Sequence, residues 1–187
     1  MKTIQIETKR LIIRPFKASD HQSWKQGLMQ RKPPQSNYDS GPVPAANVTA
    51  SIYKKYRDSF KRVAAADHAY VFGVFRKKDG AVLGTVDFQT YSRDERDWAN
   101  VGYFIHNQFQ GHGYASEALV ATIKLGFDAL GYHRIEAATR LDNKPSIAVA
   151  KKAGLVRECI RKKFWIDQGA WADHVIYVAI KDLWQKP

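Results

Sequence analysis

The sequence holds a single cysteine in 187 residues, Cys159. One thiol cannot form an internal disulfide, so stability must come from a packed core, which a chain of this length can bury. The scarcity suits a reducing compartment. No histidine-centred signature surrounds Cys159, which reads as a plain strand residue rather than a nucleophile. Long apolar runs are also missing. The opening MKTIQIETKRLIIRP alternates and carries charge within its apolar run, so it is neither a secretory signal nor a membrane span. A cytoplasmic protein without a metal site is expected. Acidic residues are few, 18 Asp and Glu against 30 Lys and Arg, a formal charge of +12. That excess excludes little. It attracts polyanions such as nucleic acid, a ribosomal surface or a phosphate-rich cofactor, and it equally describes a solvated basic surface.

What is present reads as a globular chain, 44% hydrophobic and 26% charged, without repeats or low-complexity tracts. Thr3 to Phe16 is expected to be one strand. Ser19-Asp20 is expected to cap a short helix through Trp24 and Leu28. Lys32 to Asn47 holds four prolines and one glycine and reads as a long loop, a kind usually functional or mobile. A helix is expected from Asn47 to about Ala65, with Ile52, Tyr56, Phe60 and Val63 on its inner face. The period then changes to that of strands: Tyr70–Phe75, Ala81–Tyr91 and Trp98–Ile105, the first two joined by an Asp79-Gly80 hairpin turn. A helix follows from Tyr114 to Leu130, then a strand Arg134–Thr139 that a strand–helix–strand path can lay parallel to the Trp98 strand. Asp142 to Ser146 opens a second such helix, ending at Lys152. Leu155–Trp165 and Ala170–Ile180 are expected strands around Asp167-Gln168-Gly169. The expectation is one α+β domain over residues 1–187, with a mixed sheet of about seven strands and about four helices.

The centre of this pattern is VGYFIHNQFQGHGYASE, Val101 to Glu117. It is a strand, a glycine-containing turn and a helix N-terminus. The first amides of a helix lack internal partners, and the helix dipole favours an anion beside them. A dinucleotide site would need a third glycine and an acidic residue about twenty positions on; Ser116 stands at the third position, and no such acid is present. A P-loop would need Gly-Lys-Ser/Thr, which does not occur. Gln108, Gly111 and Gly113 instead form Gln-x-x-Gly-x-Gly, and NKPSIAVAKKAGL begins thirty residues after Gly113.

With these two segments, GYASEAL and the terminal strand pair, the chain resembles the GNAT superfamily of N-acetyltransferases. Its nearest flavour is the RimJ/RimL type, ribosomal-protein-alanine N-acetyltransferases acting on protein N-terminal amines. The resemblance implies the family's acyl-CoA N-acyltransferase fold and acetyl-CoA as co-substrate. It implies a pyrophosphate site of backbone amides from Phe109 through Gln110, Gly111, His112, Gly113 and Tyr114 to Ala115, with the Gln108 and Gln110 side chains alongside. Tyr103, Phe104 and Ile105 would offer a strand edge to the pantetheine arm, and Asn143 would reach the same arm or simply cap its helix. Lys151 and Lys152 are candidates for the adenosine phosphate, although lysines in a last turn also complement the helix dipole.

Acetyl transfer needs a group that takes the amine's proton and one that protonates the leaving sulfur. Ser146 is the candidate for the second task, because the tyrosine many relatives carry four positions later is Ala150 here. The glutamate that relatives often place two residues before Gly-Tyr is Asn100, which is no base. Asp87, His106 and Glu117 remain as candidate bases; Glu117 is also explained as a favourable charge in a first helical turn. The acceptor side is expected from the Lys32–Asn47 loop, the helix after it, Trp165 and Trp171. No carboxylate cluster for a polyamine is evident, which favours a peptide N-terminus or an amino-acid-like amine. A ribosomal association fits the charge, and either a monomer or a homodimer is compatible. Two other functions compete: a basic RNA- or ribosome-binding module, and a CoA-binding regulator with a degenerate active site.

Overall fold

The computed structural model describes residues 4–167 and 169–187. Thr3, the expected start of the first strand, and Gln168, in the expected last turn, lie outside the described residues. The elements are β1 (Ile6–Glu7), β2 (Leu11–Arg14), α1 (His21–Met29), α2 (Ala50–Ala65), β3 (Ala69–Arg76), β4 (Val82–Ser92), β5 (Trp98–Ile105), α3 (Tyr114–Asp128), β6 (Arg134–Arg140), α4 (Lys144–Lys152), β7 (Val156–Asp167) and β8 (Ala170–Ile180). They form one mixed eight-stranded sheet in the order β1-β2-β3-β4-β5-β6-β8-β7. The four-helix expectation holds, and the sheet has one strand more than expected. The opening segment is a hairpin because the Thr8 hydroxyl accepts from the Leu11 amide at 2.8 Å and turns the chain back.

Two cores share the sheet. The larger lies under α3 and α4, where Leu119, Ile123 and Ile135 are fully buried. Each such side chain stabilises the fold by roughly 1.5–3 kcal/mol. The smaller core gathers Phe16, Trp24, Tyr53 and Phe75 beneath α1 and α2. Tyr56 and Phe60 pack against this core as expected and Val63 is half-buried, but Tyr53 takes the place of Ile52 on the inner face of α2: Tyr53 is buried and donates to the Lys17 carbonyl at 2.6 Å, while Ile52 is exposed. Thr49 caps this helix by accepting from the Ile52 amide, so the helix starts at Ala50, three residues after Asn47.

All neighbouring strands are antiparallel except β5 and β6, which run parallel through three pairs only, Trp98–Arg134, Ala99–Ile135 and Asn100–Glu136. Beyond Asn100 the two strands share no ladder pair, while β4 stays on β5 as far as Ile105 and β8 stays on β6 as far as Arg140. The sheet therefore forks. Asn100 is buried at the fork, and its Oδ1 accepts from the Ala138 amide of β6 at 3.3 Å.

Candidate functional site

The fork leaves the β5 edge from Val101 to Ile105 without a strand partner on its β6 side. The chain then turns through a short 3-10 segment, Asn107–Phe109, into α3. Gly111 and Gly113 have φ of 79° and 77°, a region open to glycine and strained for other residues. A Cβ at Gly111 would meet nothing within 4 Å, so the backbone there faces open space. The first intrahelical bond runs from the Glu117 amide to the Gly113 carbonyl at 3.2 Å, which leaves the amides of Tyr114, Ala115 and Ser116 free. Among the described residues no backbone carbonyl accepts from the amides of residues 111–113.

The strand edge and these amides border one cavity of about 380 Å³. Tyr103, Phe104 and Ile105 line it from β5, and Phe109, Gln110, Gly111, Gly113, Tyr114 and Ala115 from the turn and helix. Asn143, Ser146 and Lys152 line it from α4. Asn143 Oδ1 also accepts from the Ser146 amide at 3.2 Å, so it caps α4 while facing the cavity. The Ser146 hydroxyl lies 2.9 Å from the Tyr103 hydroxyl and 3.3 Å from that of Thr139. Tyr103 also donates to the Ser146 carbonyl at 2.9 Å. Burial raises the Tyr103 pKa, and its bond to Ser146 partly offsets the rise. A tyrosine hydroxyl therefore stands beside Ser146, supplied by β5 rather than by the helix position that Ala150 occupies.

Other candidates lie elsewhere. The Gln108 side chain does not flank the turn; its Nε2 donates inward to the Gly27 carbonyl of α1 at 2.8 Å. His112 is exposed and bonds back to the Gln110 carbonyl at 2.8 Å, and Lys151, unlike Lys152, is not among the residues that line the cavity. His106 is buried against Gly27, and burial, helped by the nearby Arg31 charge, pushes its pKa down to about 3. A neutral imidazole shut away from the cavity is not placed to take an amine's proton. Glu117 holds the β1–β2 turn on α3, accepting from Thr8, the Arg10 amide and the Arg10 guanidinium. Burial opposes its ionisation, but these bonds outweigh it and hold the carboxyl below its usual range.

Asp87 lies on the opposite sheet face, paired across β4–β5 with Gly102. A Cβ at Gly102 would stand 2.7 Å from its Oδ1, so the missing side chain leaves room for the carboxylate. Burial alone raises the Asp87 pKa. The Lys32–Asn47 loop, expected on the acceptor side, borders the cavity of the β5 edge and the α3 amides. Ser36, Tyr38 and Asp39 line the cavity itself, and Tyr38 donates to Asp142 at 2.5 Å across a gap of 104 positions. Length and proline content mark this loop in the sequence, but nothing local pairs Tyr38 with Asp142. Trp165 packs on Phe164 and His174, whereas Trp171 is exposed beside Arg140 and Asp142. Among the described residues no three His, Cys, Asp or Glu side chains group to hold a metal ion. No helix among them is long and apolar enough to cross a membrane.

Comparison with known proteins bears on this geometry. The family model described as the acetyltransferase (GNAT) domain matches residues 10–156. The chain belongs to the GNAT acetyltransferases. The uncharacterized N-acetyltransferase YnaD of Bacillus subtilis is 29% identical over 97% of this GNAT chain and 99% of its own length. The [ribosomal protein uS5]-alanine N-acetyltransferase of Escherichia coli is 31% identical, over 58% of this chain and 56% of its own length. The crystal structure of the ribosomal-protein-S5-alanine acetyltransferase of Vibrio fischeri superposes with a TM-score of 0.74 at 27% identity, covering 97% of this chain and 98% of that one. The mixed sheet and its helices are thus the GNAT fold.

Proposed function

We propose that residues 1–187 act as one acetyl-CoA-dependent N-acetyltransferase of the RimJ/RimL type, in the cytoplasm, on a primary amine. The observation that carries this reading is the continuity of the unpaired β5 edge with the free amides of the turn and α3. That continuity suits an elongated cofactor with a peptide-like arm and a diphosphate. Acetyl-CoA supplies the acyl group in activated form when bound. The free amides from Gly111 to Ser116 bind the diphosphate, and the β5 edge pairs with the pantetheine arm. Asn143 assists the arm, and Lys152 is the better placed of the two lysines for the adenosine phosphate.

The neutral amine nitrogen bonds the acyl carbon while Asp87 takes its proton, Ser146 protonates the departing sulfur as the C–S bond breaks, and the proton on Asp87 returns through solvent to restore Ser146. A carboxyl with a raised pKa is well matched to the first task. Tyr103 holds Ser146 in place and shares its proton. Most of the rate enhancement comes from placement, which can reach about 7–11 kcal/mol. The acceptor is a protein N-terminal amine, the class acted on by the similar ribosomal-protein-S5-alanine acetyltransferase, or an amino-acid-like amine.

A melting series with acetyl-CoA, followed by thiol-release assays across peptide N-termini, amino acids and polyamines, tests the reading. Stabilisation by acetyl-CoA is expected, because a ligand selective for the folded state must stabilise it. Turnover on at least one amine separates an enzyme from a degenerate CoA-binding regulator. The absence of both stabilisation and turnover overturns the proposal.

A further inference from the structure

Six arginines in the described chain stack on aromatic rings: Arg10, Arg14, Arg31, Arg76, Arg93 and Arg161. Five of them also hold a carboxylate, from Glu117, Asp20, Asp79, Asp67 and Glu136 in turn. Among the described residues Arg31 alone of the six has none. Its Cζ lies 5.0 Å from the centroid of Phe104 on β5, and its buried Nε has no hydrogen-bond partner. Burial pulls its pKa below the usual value, against the opposing influence of Tyr56. A half-buried guanidinium without a counter-ion is costly unless a ligand supplies the anion.

The second unpaired charge is close by. Asp87 faces Gly102, and Phe104 follows two positions later on the same face of β5. Those two anchor points are about 7 Å apart along a strand. Arg31 and Asp87 do not pair with each other. The Tyr56 hydroxyl lies within electrostatic reach of both: burial lifts its pKa to about 12, with Asp87 adding to the rise and Arg31 opposing it. It therefore stays protonated between an open cation and an open anion. Arg31, Tyr56, Asp87, Gly102 and Phe104 are all half-buried, so solvent reaches them. They stand just beyond Asn100, where β5 and β6 part.

We propose that the acceptor is a free α-amino acid, whose carboxylate binds the unpaired Arg31 guanidinium while its amine sits against Asp87 beside Gly102. This rests on the transferase reading above and chooses between its two acceptor classes. A planar guanidinium fits a carboxylate through paired N–H bonds. Tyr56 donates a further hydrogen bond to the bound molecule. A peptide N-terminus presents an amide carbonyl at that place and leaves the cation without its counter-ion.

The test compares each of the common L-amino acids with its own amide, and with short peptides, in thiol-release assays with acetyl-CoA. Melting curves with CoA plus each amino acid give a second readout that needs no turnover. At least one free amino acid is expected to exceed its amide by at least about tenfold in kcat/KM, since a site built for a polar group rejects analogues lacking it. The same amino acid should raise the melting temperature of the CoA complex. Arg31→Gln should bring the acid-to-amide ratio towards one, Arg31→Lys should keep part of it, and Arg31→Glu should reverse it; melting in CoA alone checks that each variant is folded. Amides or peptides that match the free acids in the unaltered protein overturn the proposal, as does a ratio that survives Arg31→Gln. Acetyl-CoA stabilisation with turnover only on peptides overturns this inference and leaves the transferase reading standing. No stabilisation and no turnover overturns both.

Discussion

The two sides of the fork between β5 and β6 are built from different materials. On the α3–α4 side the cavity is largely backbone: a strand edge, a turn with two left-handed glycines and the first amides of a helix. Its backbone parts all lie within seventeen consecutive residues, Val101 to Glu117. On the α1–α2 side the groups are side chains from four separate segments: the polar Arg31, Tyr56 and Asp87, and the Phe104 ring on which Arg31 stacks. Backbone dipoles carry no net charge and remain compatible with a stable free protein. The charged side chains are half-buried and unpaired, so that side stores instability that the proposed acceptor would relieve. The donor side is therefore a stable receptacle, and the acceptor side should be where function and stability conflict.

Asp87→Asn is the largest perturbation of this contrast. It removes the proposed base while keeping shape. Turnover should fall about 10²–10³-fold, within the range for losing a general base, while acetyl-CoA binding is retained. Stability should move the other way. Burial holds the Asp87 pKa above its unfolded value, so the folded protein binds the proton more tightly. The resulting stabilisation is complete below the unfolded pKa and is lost as pH rises through the folded one. At neutral pH the asparagine variant should therefore melt at a higher temperature than the parent, with the advantage vanishing towards acid. Melting curves across pH check this; a variant that is less stable at neutral pH would break the comparison.

Gly111→Trp attacks the other side. The residue sits at φ 79°, and a Cβ there meets nothing within 4 Å. The backbone strain costs about 1–2 kcal/mol, but the ring enters the donor cavity. Acetyl-CoA affinity should fall about 100-fold by calorimetry, a loss of about 2.7 kcal/mol. Gly111→Ala carries the same strain without the bulk and should bind nearly as well as the parent. Equal losses in the two variants would mean that turn conformation, rather than open space, makes the site.

The same contrast explains what was legible in the sequence. Order, type and approximate limits of the helices and strands follow from periodicity and turn residues, and the donor turn is a local pattern. The opening hairpin escaped because the Thr8 hydroxyl bond to the Leu11 amide breaks an otherwise continuous strand pattern. Gln108 belongs to the motif by spacing, yet its side chain turns to Gly27, 81 positions away. His106 has the residue type of a base, but burial removes its charge. Asn100 reads as a lost base, whereas its amide ties the fork together. Arg31 carries no local signal at all: its meaning comes from Phe104 and from the lack of a carboxylate within the fold.

The hydroxyl pair at the fork should give intermediate effects. Ser146→Ala and Tyr103→Phe each break the 2.9 Å contact between the two hydroxyls and should lower kcat about tenfold. If the two act as one proton donor, the double variant should be little worse than either single one, because groups that work as a unit are not additive. Fully multiplicative losses would separate them and return Ser146 to an ordinary first-turn serine.

The smallest effect is expected where the two sides meet, at Tyr38. Its hydroxyl donates to Asp142 at 2.5 Å and straps the proline-rich loop over the donor cavity. That bond and the Arg140 guanidinium hold the Asp142 carboxyl at about 2, so the strap keeps its charge throughout the neutral range. The contact is solvent-exposed, and contacts of that kind contribute little. Tyr38→Phe should raise KM for acetyl-CoA about threefold with a smaller change in kcat, because the strap holds the bound cofactor equally in ground and transition states. The ratio of KM values between variant and parent should stay flat between pH 5 and pH 9. A kcat loss as large as that of Tyr103→Phe would mean that the loop orders the acceptor as well as the donor, and the two sides of the fork would then be coupled through Tyr38.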